Sequence, residues 1–451
     1  MVNFRPIDRS TPYLLPPSVE DWLPKDHLAR FVVDIVDQLD LSALTRHYRG
    51  AGSAAYHPTV MLGLLIYGYA TGVYSSRRIE AATHESIAFR FIAANEQPDH
   101  DSLCTFRKRF LKQIGALFVQ VLGIARQMKL LKLGTIALDG TKVHANASRH
   151  SALSYGHAQK IEAQLQAEVK ELLARAEAAD QEPLPEGLSL PAELARREER
   201  LAAIRQAKAQ IEARAAERDA QESAEFEAKR QAREEKTTRT GKKPGGRPPA
   251  PPSPGVRPTD QINLTDEDSR IMPATGKGFG QSYNAQAAVD TETMLVVATD
   301  IAQVATDKQQ LEPMLEVLAG LPEALGRVEH LLADNGYFSA ANVERCVAAK
   351  IEPLLAAGRD RHHPHWEDRF TEPPPLTEPA SAVERMKHRL KTRRGRKLYG
   401  LRKQTVEPVF GIIKSVMRFR QFLLRGLAGV QGEWKLVTMA WNIKRIAALA
   451  G

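Results

Sequence analysis

The spacing of apolar positions changes twice along the chain. Up to about residue 130, apolar side chains recur every three or four residues, the signature of amphipathic helices. Leu28, Phe31, Val32, Ile35, Val36 and Leu39 form one such stripe. HPTVMLGLLIYGYATG forms a second helix, with Pro58 near its start and Gly72 near its end. SSRRIEAATHES follows, led by Ser75 and Ser76 as N-cap candidates. A longer helix is expected through CTFRKRFLKQIGALFVQVLGIARQM, capped by Asp101 or Ser102. From residue 131 the period shortens. TIALDGTKVHANAS reads as a strand whose apolar run, Thr135 to Leu138, finishes on Asp139 before Gly140.

Between about 156 and 236 the helical period returns in a segment rich in Ala, Glu, Gln, Lys and Arg. Ile161, Leu165, Val169 and Leu172 make one stripe, and Leu201, Ile204 and Ile211 another. EPLPEGLSLP between them reads as a turn, so a helical hairpin or coiled-coil arm is expected. KKPGGRPPAPPSPGVRP (242–258) reads as a flexible or polyproline-like linker. Strand character then resumes. GQSYNAQAAVDTETMLVVATDIAQVATD predicts two strands around a turn at Asp290 and Thr291, DKQQLEPMLEVLAG a helix with Asp307 at its start, and RVEHLLADNGYFS a strand ending on Asp334. SAANVERCVAAKI predicts a helix and EPLLAAG a short strand. The expected organisation is an all-α region (1–130), a first part of an α/β core (131–155), a helical insertion with its linker (156–258), and the rest of the core with basic C-terminal helices (259–451).

Charge adds to this picture. The 451 residues carry a formal net charge of +9, which points to polyanionic partners and to nucleic acid first. The basic residues cluster. Arg77, Arg78, Arg107, Lys108 and Arg109 are expected to be displayed on short helices joined by tight turns, which suits a helix-turn-helix-like DNA module. From Arg385 to Arg425 they are dense, with Arg393, Arg394 and Arg396 in one short run, and phosphate neutralisation accounts for them better than a solvated face. The two cysteines, Cys104 and Cys346, make no CxxC, so neither a structural zinc site nor a disulfide scaffold is expected. RHHPHW holds His362, His363 and His365 without a carboxylate or cysteine at ligand spacing, so it is not expected to bind metal. No apolar leader core and no membrane-length apolar run is present, and a cytoplasmic protein is expected.

Chemistry enters with the second acidic strand end. HLLADNG repeats the grammar of IALDG, an apolar strand, then Asp, then residues that permit a sharp turn. Two such strands side by side set two carboxylates at one sheet edge, a donor set for hard divalent cations. Two ions roughly 3.5–4 Å apart can activate a nucleophile and stabilise the leaving oxygen of a phosphodiester. The tail supplies a third acid. Glu407 and Lys414 are seven residues apart, two helical turns, so both project from one face. Pro408 is tolerable if Glu407 lies in the first turn, with Thr405 as its cap. Asp290 is expected in a hairpin turn, and Asp300 and Asp307 in capping roles.

Taken in order, the IALDGTKVHANAS strand, the YNAQAAVD segment, the LLADNGY strand and the VEPVFGIIK helix resemble the DDE transposases of bacterial insertion sequences. The resemblance spans nearly the whole chain. It implies a ribonuclease H-like mixed sheet with flanking helices, preceded by the all-α region and interrupted by the helical insertion. It also implies that Asp139, Asp334 and Glu407 are the catalytic and metal-holding acids. The family's Tyr-Arg-Glu-Lys signature matches Tyr399, Arg402, Glu407 and Lys414, with one departure. Four residues separate Arg402 from Glu407 where the family has three, and Lys403 has the family's gap, so either residue can fill the arginine role. The implied cofactor is Mg²⁺, two ions, with Mn²⁺ as a substitute. The implied partners are double-stranded DNA (terminal inverted repeats and target DNA) and a second copy of the chain. A metal nuclease without strand transfer and a DNA-binding regulator or remnant are the alternative readings.

Overall fold

The computed structural model describes residues 18–48, 55–178, 189–241, 245, 248–273, 278–358, 367, 371–377 and 379–451. The chain divides into two compact units, Met1–Asn146 with Ile271–Gly451, and Ala147–Arg270.

The first unit opens with helices α1 (Val19–Trp22), α2 (Leu28–Asp37), α3 (Ser42–Thr45), α4 (Pro58–Thr71), α5 (Ser76–Glu85), α6 (Ile87–Ile92) and α7 (His100–Gln127). α4 is apolar all round, and Met61 to Ala70 are all buried, as befits a helix enclosed on every side. Gly72 ends it at φ 85°, and a Cβ there would meet the Met417 carbonyl oxygen at 3.1 Å. Ser75 caps α5 as expected. The cap of α7 is Asp99, two residues before the expected Asp101, because the Asp99 carboxylate takes the Ser102 N–H at 2.8 Å and leaves Asp101 in the first turn. Strand β1 (Leu133–His144) follows. It does not finish on Asp139 but runs five residues further, because β5 below pairs with it to its end.

The second unit contains β2 (Ala152–Ser154), α8 (Tyr155–Ala178), α9 (Leu190–Thr240) and β3 (Gln261–Asn263). β2 and β3 pair antiparallel. The predicted stripes meet. Leu165 of α8 packs with Leu201, Ile204 and Ile211 of α9, with Ile161 against the same cluster. Glu162 holds Arg205 and Lys208, and Glu168 holds Arg197, from helix to helix. Residues 248–258 have neither helix nor strand. The predicted turn at EPLPEGLSLP, in its larger part, and the start of the linker lie outside the described residues.

Back in the first unit, β4 (Arg270–Pro273), β5 (Phe279–Asp290), β6 (Val296–Ala302), β7 (Gly326–Ala333) and β8 (Glu352–Leu355) build one mixed sheet with β1. β5 lies antiparallel to β1 and to β6, with β4 also beside it, while β7 and β8 run parallel to β1 on its other side. This is the ribonuclease H-like mixed sheet the resemblance implies. Helices α10 (Leu311–Ala319), α11 (Ala340–Ala348), α12 (Ala382–Lys391), α13 (Arg393–Ser415) and α14 (Leu427–Ala450) complete the unit. α14 joins the N-terminal helices to the sheet. It packs on α4, α7 and β6, and its Asn442 side chain pairs with both backbone groups of Val296 at 2.8 and 2.7 Å. Among the described residues no helix is long and apolar enough to cross a membrane.

Candidate active site

The parallel ladder between β1 and β7 ends with the pair Leu138 and Ala333. Asp139 and Asp334 are therefore the next residues on two adjoining strands. They then diverge. Asp139 stays in β1, opposite Ala287 of β5. Asp334 leaves β7 and folds its carboxylate over a turn, taking the Gly336 N–H at 2.8 Å. Gly140 leaves room for the side chains around it. A Cβ on it would stand 2.3 Å from Gln286 Nε2, 2.5 Å from Asp307 Oδ1 and 2.7 Å from Asn284 Oδ1, closer than side chains ever pack.

The third acid comes from α13, which lies against β1, β5 and β7. Arg402 spans the gap. It donates to Asp139 Oδ2 at 3.3 Å and to Glu407 Oε1 at 3.2 Å, its side chain only 10% exposed. Lys403, one residue on, is turned about 100° around the helix and faces solvent. Geometry thus brings Arg402, not Lys403, to the acids. The expectation that Glu407 lies in a first turn capped by Thr405 is overturned. α13 starts at Arg393 behind the cap Thr392, and Pro408 sits inside it. The Thr405 hydroxyl instead bonds back to the Leu401 carbonyl at 2.7 Å. Lys414, two turns beyond Glu407, donates to the Lys142 carbonyl at 2.8 Å and to the Thr141 hydroxyl, so it stands on β1 just past Asp139. Burial first, then the positive charges of Lys142 and Arg420, lowers its pKa.

Burial raises the Asp139 pKa from 3.8 to about 6. The Gly140 N–H and Arg402 oppose the rise, and the negative charges of Asp334 and Asp307 add to it. An all-oxygen set of like charges, with Asp139 18% and Glu407 52% exposed, fits a hard divalent cation open to substrate. Among the described residues no three His, Cys, Asp or Glu side chains form a ready-made metal cage, and a guanidinium stands between Asp139 and Glu407.

Asp307 is the residue that sequence reasoning misassigned. It caps nothing, since α10 begins at Leu311 with no side-chain cap. Its Oδ1 accepts from Asn284 at 2.7 Å and Gln286 at 2.9 Å, and Lys142 stands 3.8 Å away. A Cβ on Gly336 would touch Asp334 Oδ1 at 2.9 Å and Asp307 Oδ2 at 3.7 Å, so both carboxylates border that glycine. Gln286 in turn accepts the Tyr337 hydroxyl, which ties the turn after Asp334 to β5. The signal was present in YNAQAAVD, where the amides of Asn284 and Gln286 are fully buried and need polar partners. Asp290 does hold its hairpin turn, accepting from Glu292 and Thr293. Asp300 caps nothing and lies within β6, in reach of Gln431 at 3.4 Å.

Tyr399 and Lys403 line a separate cavity of about 580 Å³ with Lys387, Lys391 and Arg396. Arg393 and Arg394 are exposed in the first turn of α13, and Arg77, Arg78 and Lys108 are exposed on α5 and α7. Arg107 is not displayed. It is 5% exposed and donates to the Tyr69 hydroxyl at 3.1 Å and the Tyr74 carbonyl at 3.2 Å, beside the buried Glu433. The expectation that it meets DNA is corrected, because its position faces the helical core. His362, His363 and His365 lie outside the described residues.

Residues 17–109 match a family model described as "Transposase domain (DUF772)", and residues 257–443 match one described as "Transposase DDE domain". The second match contains Asp334 and Glu407. Asp139 falls between the matches, and the β1–β7 register brings it beside Asp334. Neither a curated protein nor a solved structure matches the chain.

Proposed function

The chain belongs to the DDE transposases of insertion sequences, and on that premise we propose that it cuts DNA at the ends of its mobile element and joins those ends to target DNA. The observation that carries this reading is that Asp139 and Asp334 each follow the last pair of one ladder, with Arg402 linking Asp139 to Glu407. In the first step a water oxygen attacks phosphorus and the P–O3′ bond breaks, leaving a 3′-hydroxyl and a 5′-phosphate. In the second step that hydroxyl attacks phosphorus of a target phosphodiester, forming a new P–O3′ bond while the target's own P–O3′ bond breaks and frees a target 3′-hydroxyl. Each step exchanges one P–O bond for another, so no nucleotide cofactor is needed.

Asp139, Asp334 and Glu407 would hold Mg²⁺, two ions with Mn²⁺ able to substitute, which would activate the attacking oxygen and offset charge on the leaving one. Without metal, the Asp139 carboxyl is half ionised near pH 6, so acid conditions oppose metal binding. Arg402 keeps Glu407 directed toward the sheet edge and stands ready to neutralise a phosphate oxygen. Lys414 is held beside Asp139 to meet the phosphodiester backbone. Tyr399, Lys403 and Arg396 border a basic cavity suited to a DNA end, and Arg393 and Arg394 are exposed cations on the same helix. Arg77, Arg78 and Lys108 are exposed cations for duplex contact. Two DNA ends call for at least a homodimer, and the protein acts in the bacterial cytoplasm at the nucleoid.

The test uses duplexes ending in the inverted repeats that flank the coding region, with Mg²⁺ and a supercoiled target. New 3′-hydroxyl ends and joined products are expected, with both abolished in Asp139→Asn, Asp334→Asn and Glu407→Gln while DNA binding persists. Cutting without joining would make the protein a nuclease. Binding without cutting would make it a regulator.

A further inference from the structure

The first unit has a second basic feature, separate from α13. An open cleft of about 920 Å³ lies between α7 and the start of α14. Lys108, Arg109 and Lys112 line it from α7, and Arg425 and Lys435 from the other wall, with no carboxylate in its lining. None of these five cations is within ion-pairing distance of an acid among the described residues. Two acids lie behind the lining: Asp300, which feels Lys435, and the buried Glu433, which accepts from the backbone of Leu423 and Leu424.

The arrangement is built rather than incidental. Gly432 lets α14 approach α7, since a Cβ there would stand 2.2 Å from Leu111 Cγ. Arg425 is fixed by donating to the Asn146 carbonyl at 3.0 Å. α14 opens on Gly426 with no side chain capping it, and Ala428 and Gly429 of its first turn border the cleft, so the positive end of a 24-residue helix adds to the five side chains. Cations gathered in one cleft without a carboxylate in its lining raise the local positive potential, which attracts a polyanion.

We propose that this cleft holds the phosphodiester backbone of duplex DNA away from the acids, so that the N-terminal helical region and the catalytic core bind the duplex jointly. This rests on the reading above. Asn146 borders the cleft seven residues after Asp139. That is at most about 23 Å of extended chain, or roughly seven base pairs along a duplex. The separation is within the span of one short duplex.

The experiment compares the full-length parent with Lys108→Gln/Lys112→Gln/Lys435→Gln, measuring affinity for a random-sequence duplex over a salt series. A control set, Lys25→Gln/Lys129→Gln/Lys350→Gln, removes the same charge from exposed positions elsewhere in the unit. The cleft triple is expected to weaken binding at least about tenfold and to flatten the log–log salt slope by about 2–3, near 0.9 for each phosphate no longer neutralised. The control set is expected to move the slope by less than about 0.9. If both sets act alike, or the cleft triple leaves the slope unchanged, the cleft is not a DNA channel although the transposase reading stands. If the parent binds no duplex at all, both fall. The single Lys112→Gln variant, exposed on α7, replaces the triple should its thermal transition differ from the parent's, with a slope change of about 0.9 expected.

Discussion

Asp139 and Asp334 stand one residue beyond the last pair of a single parallel ladder, Leu138 with Ala333. The consequence is electrostatic. Two carboxylates on adjoining strands repel, and burial of Asp139 makes the repulsion harder to screen. The chain tolerates this at a place where function needs it, and the site is tuned by what surrounds the pair.

The first prediction concerns pH and the metal-free protein. Asp139 titrates at about 6 in the folded chain against 3.8 ordinarily. Between those values the folded state holds a proton that the unfolded state has released, so stability falls as pH rises from about 4 to about 6 and stays reduced above it. The penalty is about 3 kcal/mol at most. In chelator, Asp139→Asn should be more stable than the parent at pH 7 and should lack the slope between pH 4 and 6. Urea midpoints across that range decide it, and a parent without such a slope sinks the claim.

Removal of the space at Gly140 should separate chemistry from binding. Gly140→Ala drives a methyl group into the Asn284, Gln286 and Asp307 cluster, which must then shift. Overpacking of this kind costs about 1–3 kcal/mol of stability, and misplacement of a site by about 1 Å can cost about 100-fold in rate. Cleavage should drop by about that factor with little change in duplex affinity. Normal cleavage would mean the cluster does not position the acids.

Arg402 and Lys403 should behave differently although they are neighbours. Arg402→Ala removes the bond to both Asp139 and Glu407 and should lower cleavage by about 100-fold or more. Lys403→Ala should mainly weaken DNA binding and reduce its salt dependence, since Lys403 borders the cavity with Tyr399. Arg402→Lys should rescue little, because an ammonium cannot reach two carboxylates as a planar guanidinium does. Reversed phenotypes for the two residues would exchange their roles.

Neutralising Arg393, Arg394 and Arg396 together should weaken binding to all sequences alike and flatten the salt slope, because phosphate contacts carry little sequence information. A slope identical to the parent's would remove these residues from the interface.

Arg107 provides a stability prediction. Its guanidinium meets the Tyr69 hydroxyl, which donates to Glu433 Oε1 at 2.6 Å, while the other Glu433 oxygen takes the N–H groups of Leu423 and Leu424. This network links α4, α7 and α14. Arg107→Met leaves the Glu433 charge buried without its cation and should destabilise the protein by about 3–5 kcal/mol. The denaturant midpoint should fall accordingly, and an unchanged midpoint would discard the network as a structural link.

Much of this protein is legible in its sequence alone. The 3.6-residue and two-residue periods locate the N-terminal helices, the hairpin arm and the strands, because burial of one face writes itself into local spacing. Asp139 and Asp334 can be singled out because each closes an apolar strand, and Glu407 because of its seven-residue spacing to Lys414 and the family resemblance. Register cannot be read. Nothing local states that Leu138 lies opposite Ala333, that β1 runs on past Asp139 to pair with β5, or that α13 begins fourteen residues before Glu407. Those facts depend on which distant segments meet, and so do the inward turn of Arg107, the choice of Arg402 over Lys403 and the recruitment of Asp307. A side chain's charge is local information. The partner it is packed against is decided only when the chain closes, by contacts between residues far apart in sequence.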